Sequence, residues 1–260
     1  MVEITPHPVQ NSEHHMNKPS AFLLSLLVTI IIAINLSLLL PSSIQRETTS
    51  IERSIDGDTL ELADGRIIRL VNINTPEKNT PGYKEATQFL VNYEHTQVEI
   101  EITALDKYNR YLGRIYAPDY INLQIIKEGL GNTFLVAESE LKEFKKAEES
   151  AIKNEKGVWK HSPYYDCIDS DIDEKREKVT LTVTCPELIK KTVTLKDESR
   201  KQEKIILSEE KLTINTHKGK NTQGELFLGL TDSLWNDDRD TLYIFDDNYQ
   251  LIHTHHYGYR

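Results

Sequence analysis

Nowhere in its 260 residues does the chain carry a broad field of positive charge. Lysine and arginine number 31 against 41 aspartates and glutamates, for a formal charge of -10. The deficit is shared along the chain, with 2 basic and 3 acidic residues in 1–50, 15 and 19 in 51–160, and 14 and 19 in 161–260. Affinity for nucleic acid as a polymer comes mainly from Lys and Arg displacing counterions along the phosphates, so this balance argues against tight packaging of DNA or RNA. A hydrolase that turns over needs positive charge only at the scissile phosphate. Cysteine is nearly absent: Cys167 and Cys185 stand at no metal-type spacing and could close one loop, as an oxidising compartment permits. No internal repeat is visible, and 38% hydrophobic residues suffice for ordinary cores, which sets disorder aside.

What is present first is an apolar run. Ala21 to Leu40 extends for 20 residues without a charge, about the 30 Å that a helix needs to cross hydrocarbon. A signal peptide is the rival, but its apolar core is usually about 7–15 residues, and only Pro41, Ser42 and Ser43 follow here, not an A-x-A-like site. The expectation is an anchor in the membrane through residues 21–40, with a secreted, cleaved form as the alternative. Lys18 on one flank and Arg46 and Arg53 on the other do not decide its orientation. The body is expected outside the cytoplasm.

Around this run the chain divides into a polar tail (1–20), the anchor or signal (21–41), a linker (42–50), a first block (51–160), a second linker (161–177) and a second block (178–260). His7, His14 and His15 in the tail show no periodicity and read as solvated. In the first block, TLEL (59–62) and RIIRLVNI (66–73) flank Asp64-Gly65, a dipeptide suited to a type I′ hairpin turn. Ala86, Phe89, Leu90 and Tyr93 recur at helical spacing. Strands are expected at Val98–Ile102 and Leu112–Ala117, and helices at Asn122–Leu130 and Ser139–Lys156. The second block turns to short β segments, KVTLTVTC (178–185), TVTL (192–195), KIIL (204–207), KLTI (211–214), ELFLGL (225–230), TLYIF (241–245) and QLIHTH (250–255), which suggest a sandwich of the immunoglobulin type. The acidic stretch from Asp166 to Arg176 reads as a solvated hinge. The chain as a whole is expected to be mainly β with some α: an N-terminal transmembrane helix, an OB-fold β-barrel with helices, then an immunoglobulin-like sandwich.

Phosphodiester hydrolysis needs a cation against the non-bridging oxygens, a base to activate water, and donors that grip the charge as it develops. The first block holds each type in three motifs: Asp56-Gly57-Asp58-Thr59, then RLVNINTPE (Arg69 to Glu77), then DKYNRYLGRIY (Asp106 to Tyr116). Each alone is weak. As an ordered set, ending at Val158-Trp159, they resemble the staphylococcal nuclease (thermonuclease) family over about Ile51 to Trp159.

The resemblance implies an OB-fold barrel with one Ca²⁺ and attack of water on phosphorus, the 5′ oxygen leaving, on a DNA or RNA substrate. Asp58 matches the first carboxylate metal ligand, and the carbonyl of Thr75 is a further oxygen donor. Asn74 stands where the family usually has a second carboxylate; its amide oxygen supplies no charge. Glu77 matches the carboxylate that orients or deprotonates water, and Arg69 and Arg110 match the arginines that hold phosphate oxygens. Read without the motif, Asp58 is a turn carboxylate and the arginines are surface groups paired with acids such as Asp106. Lys107 and Tyr108 match contacts to a terminal phosphate. The base-stacking tyrosines of the family are replaced here by about Leu135 and Ala137, with Phe134 and Tyr111 as nearby aromatics.

In the second block, LKDES (195–199), LSEEKLTI (207–214) and LWNDDRDTLYIFDDNYQLI (234–252) resemble the lamin-tail domain, and similar domains of exported nucleases carry an early cysteine pair, which implies a Cys167–Cys185 disulfide worth about 3 kcal/mol. Such a fold leaves its partner unknown. His253, His255 and His256 alternate on a terminal strand and are expected to face solvent, with Trp235 as a core anchor. The rival to an enzyme is a catalytically silent OB-fold module binding nucleic acid or the envelope.

Overall fold

The computed structural model describes residues 23–32 and 45–259, which fall into two units divided after Gln45. In the first, residues 23–32 form a helix, α1, whose apolar side chains are exposed. Half of the expected anchor, residues 21–22 and 33–40, lies outside the described residues, and among those described no helix is long and apolar enough to cross a membrane.

The second unit begins with a barrel. Its strands are β1 (Glu47–Ser54), β2 (Thr59–Leu62), β3 (Ile67–Leu70), β5 (Gln97–Leu105) and β6 (Tyr111–Ala117), with the two-residue β4 (Ile73–Asn74) between β3 and β5 in sequence. They run in the order β3-β2-β1-β5-β6 and close through a parallel pairing of β3 with β6. This is an OB-like closed barrel of five strands, and it starts inside the segment expected to be a linker. Alternation drives it: Leu60, Leu62, Ile68, Leu70, Val98, Ile100 and Ile115 point into one core. The helix α2 (Tyr83–Val91) buries Ala86 and Leu90, as its spacing predicts. The short β7 (Asp119–Tyr120) leads into α3 (Ile121–Lys127), then β8 (Asn132–Thr133), which pairs with β4, and α4 (Leu141–Lys153).

The β2–β3 turn differs from expectation. Gly65 has φ +85°, but Asp64 is not among the residues of positive φ, so the type I′ geometry is absent. Instead Gly65 N–H donates to Leu62 O at 2.9 Å and Leu62 N–H to Arg66 O at 2.9 Å, a three-residue turn closed by a left-handed glycine.

The rest of the unit is two four-stranded sheets. One has the order β14 (Glu225–Phe227), β13 (Lys211–Asn215), β10 (Lys178–Val183), β9 (Ile168–Asp173); the other β12 (Gln202–Ile206), β11 (Thr192–Lys196), β15 (Asp240–Phe245), β16 (Leu251–Tyr257). Trp235 is buried in the core between them. Strand β9 falls where a charged hinge is expected: Ile168 and Ile172 face in, and Asp169 and Asp171 face water on a sheet edge, where acidic residues discourage further pairing. Cys167 and Cys185 are disulfide-bonded beside it.

Barrel and sandwich share a third apolar cluster of Ala151, Ile152, Trp159, Tyr243, Phe245 and Leu251. Trp159, at the barrel's end, stacks on Tyr243 with ring centroids 5.1 Å apart. Above it the fully buried Glu148 of α4 accepts hydrogen bonds from Thr133 N–H (2.9 Å), Thr133 Oγ1 (2.9 Å) and Tyr243 Oη (2.8 Å), with Lys145 Nζ at 3.3 Å. Burial raises the pKa of this carboxyl, but Lys145 and these donors outweigh it and hold Glu148 below the ordinary carboxylate range. The terminal histidines do not face solvent: His253 and His255 share Ser170 Oγ at 2.8 and 2.7 Å, and His256 Nδ1 lies 2.7 Å from Lys145 Nζ. Replacing Glu148 by alanine leaves Thr133 N–H buried without a partner and takes its carboxylate from Lys145, and is expected to cost about 3 kcal/mol or more, with Glu148→Gln costing less, as measured by urea unfolding.

Candidate active site

The site forms at one end of the barrel, where the turn before β2 meets the β3–β4 segment. Asp58 N–H donates to Asp56 Oδ1 at 2.9 Å, which closes the turn and sets the Asp58 side chain inward, 2% exposed. Gly57 lets this turn approach, since a Cβ there would lie 2.6 Å from both Thr75 Oγ1 and Ala86 Cβ. Asp58 Oδ2 accepts from Thr75 N–H at 3.0 Å and Thr75 Oγ1 at 3.1 Å, and Arg69 Nη2 stands 3.2 Å away.

Arg69 is buried, and both its terminal nitrogens bond to the chain: Nη1 donates to Leu70 O at 2.8 Å, and Nη2 to Ile73 O at 3.0 Å and Asn74 Oδ1 at 2.6 Å. Burial pushes its guanidinium below the ordinary range, with Asp58 opposing and Arg200 and Arg110 adding to the effect. Asn74 is held from both sides, because its Nδ2 donates to Glu198 O at 2.7 Å. Glu77 lies on the following loop, where Thr80 N–H closes on Glu77 O at 2.9 Å; its side chain is 61% exposed.

Arg110 stands apart from this group. Its Nε and Nη2 donate to Asp106 Oδ2 at 2.9 and 2.8 Å, as the surface-pair reading has it, although it remains close enough to Arg69 to act on its charge. Lys107 and Tyr108 are exposed on the same β5–β6 turn, the ammonium 5.0 Å from the ring centroid. Leu135 is 71% exposed, and no tyrosine replaces the missing stacking platform there.

The residue that sequence reasoning misses is Arg200. It tops the β11–β12 hairpin of the sandwich, with Nη1 bonded to Glu77 Oε1 and Nη2 to Asp58 Oδ2. The hairpin is docked by Glu198 O, which accepts from Asn74 Nδ2 and, at 3.0 Å, from Asn132 Nδ2. Calcium needs several oxygen donors at about 2.3–2.6 Å. In this arrangement the residues do not fit it: Asp58 Oδ2 is surrounded by donors, Asn74 Oδ1 is committed to Arg69, and a guanidinium stands between Asp58 and Glu77. Among the described residues no three His, Cys, Asp or Glu side chains converge on a metal position.

Residues 67–161 match the family model of staphylococcal nuclease homologues, a stretch that holds every expected site residue except Asp58. Over 75 residues the chain is 39% identical to an uncharacterized endonuclease of Escherichia coli, and equally to one of E. coli O157:H7, covering 27% of this chain and 49% of each relative. Over 134 residues it is 28% identical to Endonuclease YhcR of Bacillus subtilis (strain 168), covering 42% of this chain and 11% of that protein. The chain thus spans about half or less of the length of these curated relatives. Residues 67–161 are thus similar to staphylococcal nuclease homologues, and in this chain they pack against two further β-sheets.

The docking hairpin carries a pH dependence. Burial, reinforced by Glu148, raises Glu198 from its ordinary 4.5 to about 7, and burial raises Asp240 beside it to about 6. The folded chain therefore keeps protons that the unfolded chain releases, and these two groups make stability fall as pH rises from about 4.5 to about 7. His256, lowered by burial to about 4, acts in the opposite sense, its contribution being lost as pH falls below about 6.5. In Glu198→Gln, which retains an acceptor for Thr241 and Tyr259, the stability lost between about pH 5 and pH 8 should shrink by up to about 3 kcal/mol in denaturant unfolding.

Proposed function

We propose that the protein is a nuclease that hydrolyses phosphodiester bonds of DNA, RNA or both by attack of water on phosphorus, with the 5′ oxygen leaving. The observation that carries this reading is the convergence of Asp58, Arg69 and Glu77 on one end of the barrel, inside a nuclease homologue domain. Glu77, the exposed carboxylate, orients the water and takes its proton. Arg69 sits in a poorly solvated pocket, where a guanidinium acts on an incoming phosphate far more strongly than in water. Arg110 reaches the phosphate by exchanging Asp106 for its oxygens, both being anionic acceptors that a guanidinium fork can hold. Lys107 and Tyr108 on the same turn are placed to meet a terminal phosphate.

Calcium is the cofactor that the family resemblance suggests. Asp58, Glu77 and the Thr75 carbonyl are the donors it would use, and they become free for it only when Arg200 leaves. The apolar run at 21–40 and the disulfide support a body outside the cytoplasm, membrane-anchored or secreted. The two four-stranded sheets and the segments quoted above support a lamin-tail-like identity for the sandwich.

A second reading, a silent binding barrel, is favoured by one observation: both terminal nitrogens of Arg69 and the Oδ2 of Asp58 are already bonded to the chain's own groups. Digestion of single-stranded DNA across a calcium titration, with chelator as the blank, separates the two. The nuclease reading expects chelator-sensitive digestion that Glu77→Gln lowers by about 10²-fold or more. Equal inactivity of the parent and Glu77→Gln at every calcium concentration would establish the silent barrel.

A further inference from the structure

A polar side chain that bridges two carboxylates from another domain is unusual, and Arg200 does so at the position where the family resemblance puts a metal. Its guanidinium contacts Asp58, 142 residues away in sequence, and Glu77, 123 residues away. These are the two formal negative charges that a divalent ion would need, since the third acidic position of the family is Asn74 here. Arg200 also holds a backbone φ of +80°, a conformation that favours glycine, so the hairpin tip keeps a strained arginine. Its Nε is buried and unpartnered. Both features cost stability at a surface turn unless the side chain has a fixed task.

We propose that Arg200 is the resident cation of this site and that it and a divalent metal ion bind Asp58 and Glu77 in mutual exclusion, so that the sandwich domain sets the metal affinity of the barrel. The inference rests on the nuclease reading only for the identity of the metal position. Charge argues for exclusion as strongly as space does. Arg69 Nη2 stands 3.2 Å from Asp58 Oδ2 and Arg200 Nη2 is bonded to the same oxygen, so a divalent ion brought there would meet two guanidiniums, whereas removal of Arg200 leaves one beside Asp58 and none on Glu77.

Asn74 follows from the same arrangement. Its partner in the hairpin is a backbone carbonyl, Glu198 O, which can only accept; an amide donates to it, and a carboxylate in its place would repel it. Asn74 is thus a latch for the hairpin, and its amide oxygen at the same time holds Arg69. The hairpin also has somewhere to release its arginine: a cavity bordered by Thr75, Glu77, Asn132, Lys196, Gln202 and Tyr249 adjoins it.

The test is calorimetric titration of the full-length protein with calcium alone, independent of any nucleic-acid substrate. Arg200→Gly, which suits a φ of +80°, and Arg200→Gln, which keeps a polar side chain of similar reach without the charge, should both bind calcium at least about tenfold more tightly than the parent. Adding Glu77→Gln to either should cancel the gain. An affinity unchanged or weakened in the two folded variants, or a gain that survives Glu77→Gln, overturns mutual exclusion. If instead calcium binding tightens as expected but Arg200→Gly digests no DNA, exclusion stands and the nuclease reading falls.

Discussion

The meeting of Arg200 with the carboxylates of the barrel depends on one buried seam, the docking of the sandwich onto the barrel through Trp159 and Glu148. The aromatic stack of Trp159 on Tyr243 gives area and direction, and the carboxylate of Glu148, buried between Thr133, Lys145 and the Tyr243 hydroxyl, gives register. A purely apolar contact between two β domains tolerates sliding. One buried anion with four donors does not, because any displacement leaves a charge or an N–H without a partner. The β11–β12 hairpin therefore arrives at the barrel mouth in one position, and β15, which carries Tyr243, pairs directly with β11, which leads into that hairpin.

Once positioned, the hairpin takes up groups that a free barrel would present to a ligand. Asn74 Nδ2 and Asn132 Nδ2 both turn to Glu198 O, and Arg200 takes the two carboxylates. The acidic surface of the chain fits this economy of positive charge. Arg69 and Arg200 both contact Asp58 although the chain as a whole has ten more acids than bases, so part of its scarce basic charge is engaged by one buried carboxylate.

Local chemistry made much of the barrel readable. Alternation in TLEL and RIIRL, and the helical spacing of Ala86 and Leu90, are short-range signals, and they reappear as β2, β3 and α2. Boundaries moved where the signal was ambiguous: β1 begins at Glu47, in a polar stretch that only pairing with β5 makes extended, and β9 hides in IDSDID because an edge strand half in water resembles a hinge. The Asp64-Gly65 turn shows the limit of dipeptide rules, since one residue of positive φ was enough and the loop took three residues. The three catalytic motifs were legible as an ordered set, but Arg200 was not. Nothing in a lone arginine after LKDES announces a partner 142 residues back, and its role exists only through the interdomain seam. The histidines of β16 failed for the same reason: both faces of the strand are packed, His253 and His255 meeting Ser170 on one and His256 meeting Lys145 of α4 on the other.

The substitution of an amide for a carboxylate at position 74 and the presence of an arginine at position 200 are best understood as one change. A second carboxylate at 74 would add a negative charge beside Asp58 and Glu77 and would strengthen a metal position, but it would also face Glu198 O, 2.7 Å from the present amide nitrogen, with no proton to offer. The hairpin would then lose its main anchor on β4 just as Arg200 gained a further acid to neutralise. With the amide, the charge that Arg200 must balance is held at two carboxylates, and the same residue docks the segment that delivers the balancing cation. A site arranged in this way holds its charge in the absence of any ion from solution, and it places the switch between an internal and an external cation in a hairpin rather than in the barrel.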